Sequence, residues 1–230
     1  MSIFANLKEH DDIKDTTDTL GGGYQPLASG VYDAIINYAY LKTAKSGAKA
    51  ISFEFDVDGK TVNEDIYVTN RNGENFYTKD GEKHYLIGFT HVNDIALFTA
   101  QKPLSELDTE KKVIKLYNFD QRKEVDTQVD MLMDIVKKPI KLGIIKEIRP
   151  KQVKQGDEYV DDPNGATVER NNVSKVFSPK DGRTVNEVKA KADTAEFIKK
   201  WEEKWTGVDK EVKSTAVTKP QAKAVKSLFS

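Results

Sequence analysis

The sequence contains no cysteine. That excludes a disulfide framework, a thiolate nucleophile and a cysteine-held zinc or iron–sulfur centre, and it suits a reducing compartment. Histidine is scarce, with three in 230 residues. His84 and His91 are followed by Asp94, but the i, i+4 spacing of a helical metal pair is missing, so neither a metal nor any other cofactor is assigned. No serine sits in a GxSxG context and no carboxylate group forms a recognised metal motif. No catalytic set stands out, and the chain is not expected to be an enzyme. No run approaches the roughly 18 apolar residues of a membrane span. The start, MSIFANLKEHDD, lacks a basic segment followed by an apolar core, so no signal peptide is expected. Gly21-Gly22-Gly23 belongs to neither a GK[ST] nor a GxGxxG pattern; it reads as a hinge or tight turn, not a phosphate cradle.

What is present is a β meander. From Ile51 to Asp58 apolar and polar residues alternate strictly, the period of a half-buried strand. Val31 to Leu41 is rich in β-branched and aromatic residues. Ser46-Gly47 and Asp58-Gly59 are turn signals, and Thr61 to Thr69 supplies a third strand. Three strands on two short loops form the first half of a small closed barrel, and the oligonucleotide-binding (OB) fold begins this way. Uninterrupted pleating places Tyr32, Ala34, Ile36, Tyr38 and Tyr40 on one face of the first strand. The second strand turns Glu54, Asp56 and Asp58 to its polar side.

Beyond the meander, residues 71 to 83 read as a polar loop carrying Phe76 and Tyr77, and 84 to 100 as a helix ended by Pro103. Val113 to Phe119 is a strand with a short return to Val125. The i, i+3, i+4, i+7 spacing of Val129, Leu132, Met133 and Val136 predicts one or two helical turns. A basic strand follows, with Lys137, Lys138, Lys141, Lys146, Arg149, Lys151 and Lys154 opposed only by Glu147. Gly143 is a candidate bulge in it. A polar tip at 155 to 165 and a return strand from Thr167 to Val176 complete a hairpin. Residues 186 to 207 read as a C-terminal helix opened by an Asp193–Glu196 capping box. Its Ala195, Ile198, Trp201 and Trp205 form a stripe that packs on the barrel or on a second copy of the chain, and Gly207 is its C′ residue.

The near-neutral net charge of −1 hides a split. Residues 1–134 hold 15 Lys and Arg against 23 Asp and Glu, whereas 135–230 hold 21 against 14. Such asymmetry predicts an anionic partner for the second half. The expected organisation is a flexible arm over 1–29, an OB-fold domain over 30–185, the C-terminal helix over 186–207 and a basic disordered tail over 208–230. The fold class is mainly β: a five-stranded OB barrel with an inserted helix, an extra hairpin, a C-terminal helix and a flexible tail.

Aromatics interleaved with cations on a barrel pattern predict sequence-tolerant binding of single strands, because every base has a π-face and cations neutralise phosphates. Stacking is assigned to Tyr38, Tyr40, Tyr67, Tyr77 and Tyr117. Phosphate contact is assigned to Lys42, Lys45, Lys49, Arg71, Arg122, Lys141, Lys146, Arg149 and Lys151. The lysine-only charge and apolar tip of the tail assign partner binding to Lys219, Lys223, Lys226, Leu228 and Phe229. Two other readings stand beside this one: a protein–protein adaptor with an OB-like scaffold, and a nuclease or annealing enzyme.

The segments LGGGYQPLASGVYDAIINYAYLKTAKSGAKAISFEFDVDGK, EDIYVTNRNGENFYTKDG, GFTHVNDIALFTAQKPLSELDTE and KKPIKLGIIKEI carry a resemblance. Over roughly residues 19 to 206, in the order of these elements, the chain resembles single-stranded DNA-binding proteins of tailed bacteriophages, the podovirus type. The resemblance implies an OB fold, cooperative coating of single-stranded DNA in phage replication and recombination, and the cytoplasm of a bacterial host. It assigns no individual residue. Many such proteins end in an acidic tail closing on Phe, whereas this one ends Leu228-Phe229-Ser230 in a basic tail. A tail of that sign is expected to recruit a phage or host DNA or RNA polymerase instead of competing with DNA for a groove.

Overall fold

The structure is a computed structural model that describes residues 25–118, 121–156 and 158–213. The alternation at 51–58 forms the strand it predicts. β1 (Gly30–Thr43), β2 (Lys49–Val57) and β3 (Lys60–Tyr67) make an antiparallel meander. Ile51, Phe53, Phe55 and Val57 face inward and are buried, with the Phe53 and Phe55 rings stacked 5.0 Å apart. Burying side chains of this size is worth roughly 1.5–3 kcal/mol each, so this strand anchors the core.

The stretch after the meander, expected to be a loop, is a separate ribbon of β4 (Phe76–Lys79) and β5 (Glu82–Tyr85). Helix α1 (Ile87–Thr99) follows and lays Val92, Ile95 and Ala96 on the core. His84 and Tyr85 precede it in β5, so they are not on its face. β6 (Glu110–Asn118) and β7 (Lys123–Met131) form a long hairpin. The helix expected around Val129 is replaced by β7 and a single 3-10 turn at Met133–Ile135. There Val129, Met131, Leu132 and Ile135 are buried by two different local structures whose combined spacing imitates a helix.

β8 (Pro139–Pro150) and β11 (Thr167–Phe177) flank the small ribbon of β9 (Gln152–Gln155) and β10 (Glu158–Asp161). The bulge expected at Gly143 lies across from it in β11, between Val173 and Lys175. At the C-terminal side stand α2 (Val185–Lys189), α3 (Glu196–Trp205) and β12 (Lys210–Glu211). The single helix expected there is therefore two. Thr184 and Glu187 form the capping box of α2, and the other oxygen of Glu187 accepts from the backbone N–H groups of Glu196 and Phe197. One carboxylate thus satisfies the starts of both helices, the role expected of Asp193.

The protein is mainly β. An eight-stranded sheet runs β11–β8–β1–β2–β3, with β7 on β1, β6 on β7 and β12 parallel to β8. Among the described residues no helix is long and apolar enough to cross a membrane. The core fills the concave side with Ala34, Ile36, Phe55, Ile140, Leu142, Ile144 and Val176. The two end strands, β3 and β11, share no backbone ladder, so the sheet is not closed by hydrogen bonds. A side chain spans the gap. Glu64 on β3 accepts from the Val173 N–H at 2.6 Å and from the Asn172 side-chain amide at 3.1 Å, both on β11.

Both ends of the described chain are tied to this sheet. Leu27, in the segment expected to be an arm, is buried and exchanges two hydrogen bonds with Asn171. The Gly207 N–H donates to the Ser29 carbonyl. Residues 208–213, expected in the tail, add β12 to β8, and the Val212 N–H donates to Ile148. Trp201 is 6 % exposed and stands edge-on to Phe177 at 6.3 Å.

Two predictions follow from the closure of the sheet and the seating of α3. A Cβ at Gly143 would lie 2.9 Å from the Trp201 ring. Gly143→Ala is therefore expected to lower stability by roughly 1–3 kcal/mol in urea unfolding followed by tryptophan fluorescence; an unchanged midpoint would mean the ring shifts at no cost. Burial pushes the Glu64 carboxyl up to about 7, Glu147 adds to the rise, and the Val173 N–H, Arg149 and Arg170 work against it. A raised carboxyl is protonated in the folded chain where the unfolded chain has already ionised. Its stabilisation is complete below the unfolded value near 4.5 and is lost as pH rises through about 7. The loss is on the order of 3 kcal/mol. Glu64→Gln is expected to flatten the pH dependence between 5 and 8, read as the difference from wild type in urea midpoints, and parallel curves would rule out this ionisation.

Candidate nucleic-acid interface

The first strand does not keep one parity. A β-bulge between Ile36 and Tyr38 inserts an extra residue opposite β2. Before it Ala34 and Ile36 point into the core; after it Ala39 does, with Leu41 packed against the core's edge. The expected grouping of Tyr32, Ala34, Ile36, Tyr38 and Tyr40 is thereby corrected. Tyr32 stays with the core, whereas Tyr38 and Tyr40 are turned to the outer face.

Cross-strand register then builds that face in rows. Tyr38 pairs with Glu54 and Glu54 with Asn63; Tyr40 pairs with Ser52 and Ser52 with Asp65; Lys42 pairs with Ala50 and Ala50 with Tyr67. Tyr38 is 38 % exposed and Tyr67 is 48 % exposed, while Tyr40 is half-buried. Tyr67 is held from behind. A Cβ at Gly88, in the first turn of α1, would meet the Tyr67 carbonyl oxygen at 2.1 Å, so only glycine lets the helix seat on it. Lys137 stands 5.9 Å from the Tyr38 ring centroid and donates to the Asn37 side chain.

Cations rim one end of these rows. Lys49 is fixed by its backbone, which accepts from Val68 and Thr69 and donates to the Thr69 hydroxyl. The turn carrying Lys45 abuts the loop carrying Arg71, since a Cβ at Gly47 would lie 3.4 Å from the Arg71 carbonyl. Asn70 shapes that loop by accepting from the N–H groups of Asn72 and Glu74. Lys45, Lys49 and Arg71 are exposed, and no ion pair among the described residues engages them. Lys42 differs. It pairs with Asp65, and that hydrogen bond holds its ammonium above the ordinary value. Glu54 and Asp65 place negative charge between the tyrosine rows, so a phosphate is favoured at the cationic rim and disfavoured over β2.

The other sequence-assigned residues are dispersed. Tyr77 lies exposed on the β4–β5 ribbon, stacked on His84 at 5.5 Å. Tyr117 is exposed on β6, where the register puts it on the opposite face of the ribbon from Met131, the partner of Tyr40. Arg122 is exposed in the turn joining β6 to β7. Lys141 pairs with Asp33, and Lys146 pairs with Asp209 at 2.7 Å and with Glu169 at 3.7 Å. Those two charges are already matched by carboxylates, unlike those of Lys45, Lys49 and Arg71 among the described residues. Arg149 pairs with Glu147, and Lys151 is exposed just past the end of β8. The tail residues Lys219, Lys223, Lys226, Leu228 and Phe229, and the arm before residue 25, lie outside the described residues.

Two titrating groups on α1 are displaced by burial. His91 is pushed down to about 4, with Lys175 adding to the effect, and Asp94 is pushed up to about 6. His91 lies near Ser174 and Lys175 of β11, and Asp94 near Lys175 and Lys189 of α2. Sequence reasoning missed Lys137, whose cation–π contact with Tyr38 joins positions far apart in the chain; its place at the head of the basic segment was the only signal.

No protein-family model matches this chain and no curated protein matches it in sequence, so the functional reading rests on the residues and their arrangement.

Proposed function

We propose that the protein binds single-stranded DNA with little sequence preference and is not an enzyme. The observation that carries this reading is the outward pair Tyr38 and Tyr40 created by the bulge, set beside Tyr67 and bounded at one end by Lys45, Lys49 and Arg71, which enter no ion pair among the described residues. Bases stack on Tyr38, Tyr40 and Tyr67, and the acidic stripe of Glu54 and Asp65 keeps the phosphates toward the rim. Tyr77 and Arg122, exposed on two other ribbons, extend the contact, whereas Tyr117 faces the other way and is left out of it. Every base offers a π-face, so such a surface is tolerant of sequence.

The scaffold in this proposal is an OB barrel. Three meander strands, a helix and two further strands follow in the order that fold uses, β8 and β11 serving as its fourth and fifth. The Glu64 bridge takes the place of the last ladder. With the resemblance noted from sequence, the setting proposed is phage DNA replication and recombination in the bacterial cytoplasm. The tail is proposed to recruit a polymerase. β12 belongs to the sheet, so a chain ending at Lys213 is the appropriate truncation; it is expected to keep its affinity for oligo-dT and to lose capture of the polymerase. Retained capture would remove the tail from this role.

The principal test is fluorescence anisotropy with labelled oligo-dT. Tyr38→Ala and Tyr67→Ala are each expected to weaken binding by roughly 1–3 kcal/mol, the stacking of one base. Tyr85→Ala, on the separate ribbon and tilted onto Phe89, is expected to change little. Wild-type affinity in both of the first two variants would place the strand elsewhere.

A further inference from the structure

The far end of β8 carries a second cationic feature. Arg149, Lys151, Arg170 and Lys213, with Gln152 and Val168, line an open cleft of about 530 Å³ where β8, β11 and β12 meet. Among the described residues no Asp or Glu lines it. The strands themselves bring these charges together. Arg149 pairs in register with Val168, and Arg170 with Glu147. The Val212 N–H bonded to Ile148 holds Lys213 against the same edge. Lys151 is fixed by its N–H to Ala166 and by its carbonyl, which accepts from Asp162.

The buried counter-charge is Glu147, 2 % exposed and set beneath this edge; the Glu64 carboxyl also lies near enough to interact with Arg149 and Arg170. Burial alone would raise its carboxyl, but hydrogen bonds from Lys210 and Arg149 outweigh that and hold it below its ordinary value. Arg149 gives Glu147 its Nε and Nη2 and keeps Nη1. Lys210 spends its ammonium on the other oxygen of Glu147. Arg170, Lys151 and Lys213 enter no ion pair among the described residues. Like charges gathered in a cleft repel each other unless an anion lies between them. The guanidinium forks suit phosphate oxygens.

We infer that this cleft binds consecutive phosphates of a nucleic-acid backbone, a site separate from the tyrosine rows. The inference deepens the single-strand reading and rests on it for the identity of the polymer. It gives the bound strand a second foothold at the residue from which the tail departs.

The test uses the full chain and sodium tripolyphosphate, followed by amide NMR shifts at 150 mM salt, alongside oligo-dT titrations over a range of salt. Saturable shifts are expected at Lys151, Val168, Arg170 and Lys213. They are expected to vanish in the Arg170→Ala, Lys213→Ala double variant and to persist in Tyr67→Ala. The double variant, whose fold is checked by its thermal melt, is expected to bind oligo-dT about tenfold more weakly. Its log–log salt slope should be shallower by about 1.4, two single-strand phosphates. Absence of tripolyphosphate shifts at the cleft, or an unchanged salt slope in the double variant, overturns the cleft while leaving the tyrosine surface standing. Saturable shifts at the cleft in a wild-type protein that does not bind oligo-dT uphold the cleft as a polyphosphate site and overturn the single-strand reading.

Discussion

β1 has to serve three neighbours and two faces at once. It pairs with β8 over its first half, with β2 over its second, and meets β7 at Tyr40. In a plain strand a side chain's face is set by parity alone. The sequence from Ala34 to Leu41 contains apolar or aromatic residues at nearly every position, so parity alone cannot decide which of them go inside. The bulge at Asn37 decides it. One extra residue gives the core Ala34, Ile36 and Ala39, and sends Tyr38 and Tyr40 outward. The Asn37 side chain then ties that point to Glu54 and Lys137. The rows of the outer face, and any use made of them, depend on that single insertion.

Local pattern made much of the architecture legible. The alternation at Ile51–Asp58, the turns at Ser46-Gly47 and Asp58-Gly59, and the helix after Leu86 are all encoded within a few residues. The basic strand and its return are likewise where the apolar spacing puts them. What sequence could not show is what depends on distant partners. The bulge is one case, because nothing in INYAY signals an extra residue until β2 is laid beside it. The ion pairs of Lys141 and Lys146 are another, since Asp33 and Asp209 are remote in the chain. The Val129–Val136 spacing misled for a third reason: a strand end followed by a 3-10 turn buries residues at intervals that mimic a helix.

Charge is organised by the same economy of partners. The abundant acids of the first half and the abundant bases of the second meet at Lys141–Asp33, while Glu147 is satisfied from its own strand and from β12. Glu147 is the buried member of its set, so removing its cations would leave a buried carboxylate unpaired, which costs more than the pair itself contributes. Among the cations outside the ion pairs, Lys45, Lys49 and Arg71 gather at one rim, and Lys151, Arg170 and Lys213 at the mouth of β8 and β11. Both places lie at strand ends where the backbone is pinned by hydrogen bonds.

The bridge at Glu64 has a mechanical meaning. A ladder resists separation with many bonds acting together, whereas the hydrogen bonds between β3 and β11 among the described residues come from one carboxylate reaching across, with α1 packed against both strands. A separation along the line between them would break those two bonds and leave every backbone ladder of the sheet intact, so the seam's hydrogen bonding is held in a single side chain.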